Sequence, residues 1–267
     1  MTTNPVVCYL FTKFDNIESL INFKNNYIKF KSGCSHHLVI CFKLLDKNTI
    51  HVLKEKLKDI TYEEFIDPKN INDFDFGSYK RVAEKYPKNQ ILFLNSHSYP
   101  VCDGWLSKLI NYSNDQTFIG TSASNESILD SIKLKKKYKI LSYIFRKIYY
   151  KINFKNFPNP HIRTSSFLIN GKNLLDYMSD KNIFSKNDAW KIESGKNSLS
   201  NYFRNKNFDI YVINSDGNRF LQKDWKLSET YNYFNKSKSI ISDKHTRKYD
   251  ILNDDEKFIS RMNVWGE

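Results

Sequence analysis

QILFLNSHSYPVCDGW, residues 90–105, joins a short apolar run to a polar exit. QILFLN has the length and composition of a fully buried strand, and Asn95, Ser96 and His97 stand at its end. In open α/β sheets ligands bind at the carboxyl ends of the strands, so this polar group is well placed for function. Because every buried strand leaves the core through polar residues, the position alone also fits an ordinary strand-to-loop exit.

Strand-like and helix-like segments alternate on both sides of this run. Apolar runs that predict strands cover residues 6–12, 37–45, 62–67, 117–123, 161–169 and 208–213. Apolar residues at helical spacing predict helices over residues 17–27, 50–60, 78–86, 104–113, 171–180 and 187–206. This alternation predicts an α/β fold, with a mostly parallel sheet covered by helices on both faces.

No internal repeat or low-complexity linker divides the chain. We therefore expect one domain over residues 1–267, with a basic amphipathic helical insertion at 128–157 and a C-terminal extension at 215–267. The four cysteines are isolated, which favours neither a disulfide framework nor a zinc site. The sequence contains neither a signal-peptide pattern nor an apolar run long enough to span a bilayer, so a cytoplasmic location is expected.

The formal net charge of +13 ordinarily points to nucleic acid or another anionic partner. The chain is also visibly rich in Lys, Asn, Ile, Tyr and Phe, a mixture that a bias towards AT-rich codons produces without selection for binding. No RNP-type aromatic motif, zinc finger or helix-turn-helix pattern accompanies the charge. We therefore expect no nucleic-acid partner.

The basic segment contains an apolar stripe at helical spacing from Ile140 to Ile152, with Lys137, Lys139 and Arg146 among the residues on other faces. Such a helix could lie on an anionic bilayer, at the inner face of the cytoplasmic membrane. It could equally dock on its own domain and leave a solvated basic face. The sequence leaves both interpretations open.

DFDFGSYKRVAEKYPKNQILFLNSHSYPVCDGWLSKLI, residues 73–110, resembles the central part of GT-A glycosyltransferases, especially those of the bacterial rhamnan-synthesis type. The matching features are a DxG turn at Asp75 and Gly77, a buried strand with a polar end, Pro100, and a Gly-Trp-Leu helix start at Gly104. The resemblance continues in HIRTSSFLINGKNLL (161–175), WKIESGKNSLSNYFRNKNF (190–208) and SDKHTRKY (242–249), and in a final Trp-Gly pair.

The resemblance implies a GT-A-like fold and an inverting hexosyl- or deoxyhexosyltransferase. Such an enzyme moves a sugar from a nucleoside-diphosphate sugar to a saccharide or lipid-linked acceptor, in bacterial surface polysaccharides such as capsule or lipopolysaccharide. Strand order and the resemblance together predict these donor-binding residues: Phe11, Thr12, Asp73, Asp75, Gly77, Lys80, Arg81, Asn95, Ser96, His97 and Arg247.

A divalent cation, Mn²⁺ or Mg²⁺, is implied by the family but doubtful here. GT-A enzymes carry an Asp-x-Asp motif where this chain has Asn95, Ser96 and His97. His97 could bind Mn²⁺ with the amide oxygen of Asn95, and His245 resembles the C-terminal histidine that such folds bring to the metal. Alternatively Lys80 or Arg81 could neutralise the donor phosphates directly.

Sugar transfer needs a base for the acceptor hydroxyl, and the segment from residue 187 offers Asp188 and Glu193. Glu193 is preferred because Gly195 and Leu199 follow it as small and apolar residues do in the family. Asp188 could instead cap a helix. The missing Asp-x-Asp motif also fits an alternative, a catalytically inactive module of the same fold that binds nucleotide sugars or glycans.

Overall fold

A computed structural model describes residues 4–130, 132, 138, 140–234 and 237–266. The strands are β1 Val6–Thr12, β2 His37–Lys43, β3 Glu63–Ile66, β4 Gln90–Leu94, β5 Tyr99–Pro100, β6 Thr117–Gly120, β7 Ala123–Ser124, β8 His161–Ile162, β9 Ser166–Asn170, β10 Asp209–Ile213, β11 Arg219–Phe220 and β12 Ile241–Ser242. The helices are α1 Ile17–Lys29, α2 Lys47–Leu57, α3 Phe74–Lys85, α4 Ser107–Ile110, α5 Ile140–Asn153, α6 Gly171–Met178, α7 Lys186–Ser194, α8 Leu199–Asn205, α9 Lys244–Asp250 and α10 Asp254–Trp265, with a 3₁₀ helix over Gln222–Ser228.

Eight strands form the central sheet in the order β11-β10-β6-β9-β4-β1-β2-β3. The strands β3, β2, β1, β4, β6 and β10 all run in one direction, whereas β9 is antiparallel to both of its neighbours and β11 is antiparallel to β10. The α/β class and the mostly parallel sheet predicted from the sequence are therefore confirmed.

Alternating side chains of the buried strands supply two apolar layers, one on each face of the sheet. In β1, Cys8 and Leu10 belong to the layer covered by α3, α6, α7 and α8. Tyr9 and Phe11 belong to the opposite layer, which α1, α2 and α4 cover. Burial of both faces explains why these strands are uniformly apolar and not alternately polar.

The structure corrects several predicted boundaries. The predicted helix over residues 187–206 is two helices, because α7 ends at Gly195 and the Ser198 side chain caps the start of α8. The predicted strand over residues 161–169 divides into β8 and β9. Only the four residues of α4 are helical within residues 104–113.

The C-terminal extension, unassigned from sequence, returns to the sheet edge. Its strand β12 pairs antiparallel with β5, which joins Ile241 to Pro100 and Ser242 to Tyr99 in register. This pairing brings α9, with His245 and Arg247, beside the exit of β4.

A buried cluster of ionic groups ties α3 to the ends of β2 and β3. The Arg81 guanidinium donates to Asp67 (Nε to Oδ1, 2.6 Å) and to Asp73 (Nη1 to Oδ2, 2.7 Å). The Lys43 ammonium, at the end of β2, also binds Asp73, and the Ser78 hydroxyl donates to Asp67 at 2.5 Å. All five side chains are buried, so their charges are balanced within the cluster.

Gly77 permits the close approach on which this cluster depends. A Cβ atom at this position would lie 2.0 Å from Cγ of Asp73. Any larger residue would therefore displace the carboxylate that Arg81 and Lys43 share.

Replacing Arg81 with Met is expected to lower the free energy of unfolding by about 3–5 kcal/mol, because it leaves Asp67 without its charge partner in a buried position. Urea denaturation measures the change. The matched control is Lys80→Met, the neighbouring position, where we expect a change below about 1 kcal/mol. Normal stability of Arg81→Met combined with lost nucleotide affinity would instead favour the phosphate-binding role predicted from sequence.

Candidate active site

A groove crosses the carboxyl edge of the sheet as three adjoining cavities. The first cavity, about 490 Å³, is lined by the exits of β1 and β4 and by the residues before α3. The middle cavity, about 210 Å³, shares Phe74, Asp75, Asn95 and Lys186 with it. The outer cavity, about 530 Å³, shares Arg163, Trp190, Glu193 and His245 with the middle one. These shared residues make the groove continuous.

Asp15 holds the wall of the first cavity together. Its Oδ2 accepts hydrogen bonds from the Thr12 backbone N–H at 2.8 Å and from the Thr12 hydroxyl at 2.7 Å. Its Oδ1 accepts from the Ser96 hydroxyl at 2.6 Å. One carboxylate therefore fixes the exit of β1 against the exit of β4. Phe11, predicted at this site, instead packs into the core, and Thr12 lines the cavity.

The polar exit of β4 forms a turn closed by its own side chain. Oδ1 of Asn95 accepts from the His97 backbone N–H at 3.1 Å and from the Ser98 hydroxyl at 2.8 Å. Asn95, Ser96 and His97 all line the first cavity, as the sequence predicted for the donor site. The Asn95 amide oxygen is thus engaged in shaping the loop.

These residues do not fit a divalent cation. The Asn95 oxygen is already engaged, both oxygens of Asp15 accept hydrogen bonds, and the Ser96 hydroxyl donates to Asp15. Mg²⁺ and Mn²⁺ favour carboxylate oxygens, which the predicted set of Asn95, His97 and His245 lacks. Within the described residues, moreover, no group of three or more His, Cys, Asp or Glu is arranged to hold a metal.

Asp75 lies where the first and middle cavities meet. Although its carboxyl is partly accessible from the groove, burial raises its pKa to about 6, and the charges of Asp15 and Glu193 act in the same direction. The Lys43 cation opposes the shift only partly. Asp75 thus titrates close to neutral pH, at a point that a ligand crossing the groove would touch.

Glu193 stands at the junction of the middle and outer cavities. It occupies the last turn of α7, and its Oε1 accepts a hydrogen bond from the Thr164 backbone N–H at 3.1 Å. That bond fixes the carboxylate, and its remaining lone pairs can accept further protons or hydroxyls. Glu193, the residue preferred as general base from the sequence, therefore lies in the groove and is held in one orientation.

Arg163 provides the buried cation beside Glu193. Its guanidinium lies on the Tyr231 ring, with Cζ 4.0 Å from the ring centroid, and its Nη1 is 3.6 Å from Oε2 of Glu126. The side chain is only 11% exposed, while the Glu126 side chain is 41% exposed. The outer cavity is therefore lined by one buried cation, Arg163, and one more exposed carboxylate, Glu126.

His245 reaches the groove from the C-terminal extension and lines the middle and outer cavities. Although the residue is exposed in the groove, displacement of water by the surrounding protein lowers the pKa of its imidazole, and the Arg163 cation adds to the effect. Arg247 acts differently: its Nη2 donates to the His97 backbone carbonyl at 2.9 Å, and its guanidinium lies 4.6 Å from the Tyr99 ring centroid. Arg247 therefore holds the β4 loop and lies outside the lining of the three cavities.

Four other predicted donor residues lie away from the lining of the groove. Arg81 and Asp73 are bound to each other in the ionic cluster, and Gly77 packs on Asp73. The Lys80 ammonium donates to the Met178 backbone carbonyl at 3.1 Å, on the side of α3 that meets α6. Lys80 and Arg81 are therefore not placed to neutralise a phosphate bound in the groove, and another cation would have to do so.

Asp188 takes part in capping α7, a role that the sequence also allowed, as the third helical residue of a capping box whose N-cap is Ser185. Its Oδ2 accepts from the Ser185 hydroxyl at 2.8 Å, and its Oδ1 is 2.7 Å from the Lys191 ammonium. Partial burial acts to raise its pKa, but the Lys191 cation and the Ser185 hydroxyl outweigh that effect and lower it to about 2. The residue faces a separate cavity beside Lys191 and Gly195, and not the groove.

Sequence reasoning missed several residues of the groove. Lys186 lines the first and middle cavities, and its ammonium lies 5.1 Å from the Trp190 ring centroid. Asp15, Arg163 and Glu126 were missed as well. Lys186 follows the N-cap Ser185, which marks it as the first residue of a helix, but only the packing of α7 brings it to the sheet edge.

No family model and no curated protein matches the sequence. Solved structures similar in fold include GalNAc-T7 with UDP, GalNAc and Mn²⁺, at 13% identity and a TM-score of 0.44, over 72% of this chain and 40% of that chain. Mouse xyloside xylosyltransferase 1 is similar at 9% identity and a TM-score of 0.41, over 65% and 69% of the two chains. A nucleotidyl transferase from Methanothermobacter thermautotroptrophicus is similar at 10% identity and a TM-score of 0.40, over 77% and 97%. What the groove does must therefore follow from its own residues.

The raised pKa of Asp75 has a consequence for stability. Because the folded-state pKa of about 6 exceeds the usual 3.8, the protein loses stability as the pH rises from about 4 to about 6. Asp75→Asn removes the charge and is expected to add about 2 kcal/mol to the free energy of unfolding at about pH 8 and almost nothing at about pH 4.

Urea denaturation at both pH values tests this expectation, with the exposed carboxylate substitution Glu55→Gln as the control. A loss of stability in Asp75→Asn at both pH values would show that the carboxylate makes a structural hydrogen bond.

Proposed function

We propose that this protein is an inverting glycosyltransferase that uses a nucleoside-diphosphate sugar, and that residues 1–267 form one GT-A-like domain. The observation that carries the proposal is the position of Glu193, a fixed carboxylate between two connected cavities. A transferase needs two binding spaces that meet at a proton acceptor. The likeness of residues 73–110 to GT-A enzymes supports the same reading.

The donor binds in the first cavity, with its nucleotide against Thr12 and the Asn95–His97 turn. Its diphosphate extends towards Lys186, which lines both the first and the middle cavity. Its sugar occupies the middle cavity beside Asp75. Negative charge develops on the leaving diphosphate at this boundary. The Lys186 ammonium lies there and can stabilise that charge directly.

Transfer follows as an in-line displacement. An acceptor hydroxyl in the outer cavity attacks the anomeric carbon while Glu193 takes its proton. The bond from that carbon to the phosphate oxygen breaks, and the nucleoside diphosphate leaves with the bonding electron pair. Lys186, which lines the first and middle cavities, stabilises the departing charge on the side opposite the attacking hydroxyl.

The outer cavity suits a saccharide acceptor. Trp190 and Tyr150 line it with aromatic rings, and Glu126 and Arg163 offer a carboxylate and a guanidinium for hydroxyl groups. Apolar ring faces together with charged hydrogen-bonding groups match a sugar, which has apolar C–H faces and polar edges. The lining thus supports a glycan acceptor, and the sequence resemblance suggests that this glycan, free or lipid-linked, belongs to the synthesis of a bacterial surface polysaccharide.

A catalytically inactive module that binds nucleotide sugars or glycans is the second candidate. The feature in its favour is Asn95-Ser96-His97 in place of the Asp-x-Asp motif. Donor hydrolysis separates the two, because an active transferase releases sugar slowly to water and a binding module does not.

Replacing Glu193 with Gln should lower turnover by roughly 10²- to 10⁴-fold, because the amide keeps the shape of the side chain but cannot accept the proton. Donor affinity should hardly change. The matched control is Asp188→Asn, which is expected to cost about 1 kcal/mol of stability through the lost cap while turnover stays near normal. Loss of transfer in Asp188→Asn with activity retained in Glu193→Gln would assign the base to the wrong carboxylate.

Lys186→Ala should weaken nucleoside diphosphate binding roughly tenfold or more, because a charge-assisted contact to the phosphates is lost. Titration calorimetry with a panel of nucleoside diphosphates measures the affinity. Lys191→Ala, on the same helix but bound to Asp188, is the control and should bind normally. The same titration of His97→Ala, with and without Mn²⁺, tests the placement of His97: unchanged affinity in both conditions would remove it from the donor site.

A further inference from the structure

The helix α5 carries an apolar stripe that faces away from the protein. Its residues Leu141 and Phe145, one helical turn apart, are 69% and 71% exposed. The stripe is completed by Ile140 (51%), Ile144 (43%), Ile148 (52%) and Ile152 (66%). A contiguous apolar patch of this kind marks a contact with a partner or a membrane.

Every charged side chain of α5 is positive. The exposed basic residues Arg146, Lys147 and Lys151 lie on α5, and no Asp or Glu occurs anywhere between residues 131 and 175. Five further lysines, at positions 133, 135, 136, 137 and 139, precede the helix in the sequence, and their structure lies outside the described residues. The occupant of this face must therefore tolerate or attract a strongly basic surface.

The inner side of α5 belongs to the groove. Tyr150 is buried and lines the outer cavity, where its hydroxyl donates to Oδ1 of Asn187 at 3.2 Å. Its ring packs at 5.4 Å from that of Phe154 and at 6.5 Å from that of Trp190. Arg146 lines the same cavity. One helix thus forms a wall of the outer cavity and presents the apolar stripe to the exterior.

Charge decides between the two partners that could cover the stripe. In a symmetric dimer the same patch would face itself, which would bring Lys147 and Lys151 of both copies together without any acidic partner on the helix. An anionic bilayer has acyl chains for the stripe and negative headgroups for the lysines. None of the described helices is both long enough and apolar enough to cross a membrane, so contact would be with its surface.

We propose that α5 lies in the plane of an anionic membrane surface, with Leu141 and Phe145 inserted among the acyl chains. Because Tyr150 and Arg146 of the same helix line the outer cavity, docking places that cavity at the level of the headgroups. The acceptor is then membrane-borne and enters from the lipid surface. Only this last step rests on the proposed transferase activity, since docking by itself requires no sugar.

Vesicle sedimentation of the full chain tests the docking. With vesicles of equal parts phosphatidylcholine and phosphatidylglycerol, the protein is expected in the pellet at low salt. Leu141→Gln with Phe145→Gln should lower the partition coefficient at least roughly a hundredfold, because two large apolar side chains no longer enter the bilayer. Lys147→Gln and Lys151→Gln should each lower it about fivefold on these vesicles.

Ile28→Gln with Val52→Gln is the matched control. These side chains are 51% and 53% exposed on α1 and α2, which cover the opposite face of the sheet, and their replacement should leave the partition coefficient unchanged. Equal recovery of the wild-type chain in the supernatant with neutral and anionic vesicles would overturn the proposal. So would a dimer, detected by light scattering, that Leu141→Gln with Phe145→Gln converts to a monomer without any change in vesicle binding.

Acceptor entry is tested separately, by comparing transfer to a vesicle-borne glycolipid with transfer to its soluble glycan. The Leu141 and Phe145 substitutions should slow only the first reaction. Equal slowing of both reactions would overturn entry from the lipid surface. Failure of the wild type to turn over either acceptor would count against the transferase proposal and leave the sedimentation result standing.

Discussion

The reversed direction of β9 is the constraint on which the groove depends. Because β9 runs antiparallel between β4 and β6, its start lies at the edge where its neighbours end. The backbone carbonyl of Ser165 there accepts a hydrogen bond from the Asn95 N–H at 3.1 Å, and the Ser98 hydroxyl oxygen lies 3.0 Å from it. Arg163 and Thr164, which precede the strand, are carried into the groove by the same reversal. A parallel strand at this place would send them to the opposite edge.

The groove contains three carboxylates whose surroundings differ. On the side of β1 and β4, Asp15 accepts three hydrogen bonds and holds the two strand exits together. In the middle, Asp75 is poorly solvated and its pKa rises towards neutrality. Glu193, where the middle and outer cavities meet, accepts a hydrogen bond from the Thr164 backbone N–H. Three carboxylates in one groove thus have three environments, and environment rather than residue type decides what each can do.

The sequence predicts the sheet well because burial on both faces produces uninterrupted apolar runs, as in VVCYLFT and QILFLN. It predicts the position of Asn95 to His97 because the end of a parallel strand fixes the edge on which a side chain lies. It does not reveal the direction of β9, since the run SSFLIN has the same apolar pattern whichever way it pairs. Lys80, Arg81 and Lys186 show the same limit. All three are basic residues on helices, and their residue type does not show which way each side chain faces. Packing turns Arg81 into the ionic cluster and Lys80 towards α6, whereas it places Lys186 in the groove.

The pairing of β12 with β5 has a consequence for how the site comes into being. Arg247 binds the loop after β4 at His97, which lies 150 residues earlier in the sequence. The groove therefore acquires its final shape only after almost the whole described chain has been synthesised. The sheet and the contacts of the loop with Asp15 and Asn95 can form before that moment, whereas the contact with Arg247 cannot. Docking of the C-terminal segment and binding of a ligand in the first cavity are therefore thermodynamically linked. A ligand that favours the fixed loop strengthens docking of the segment, and release of the segment weakens binding of that ligand by the same free energy.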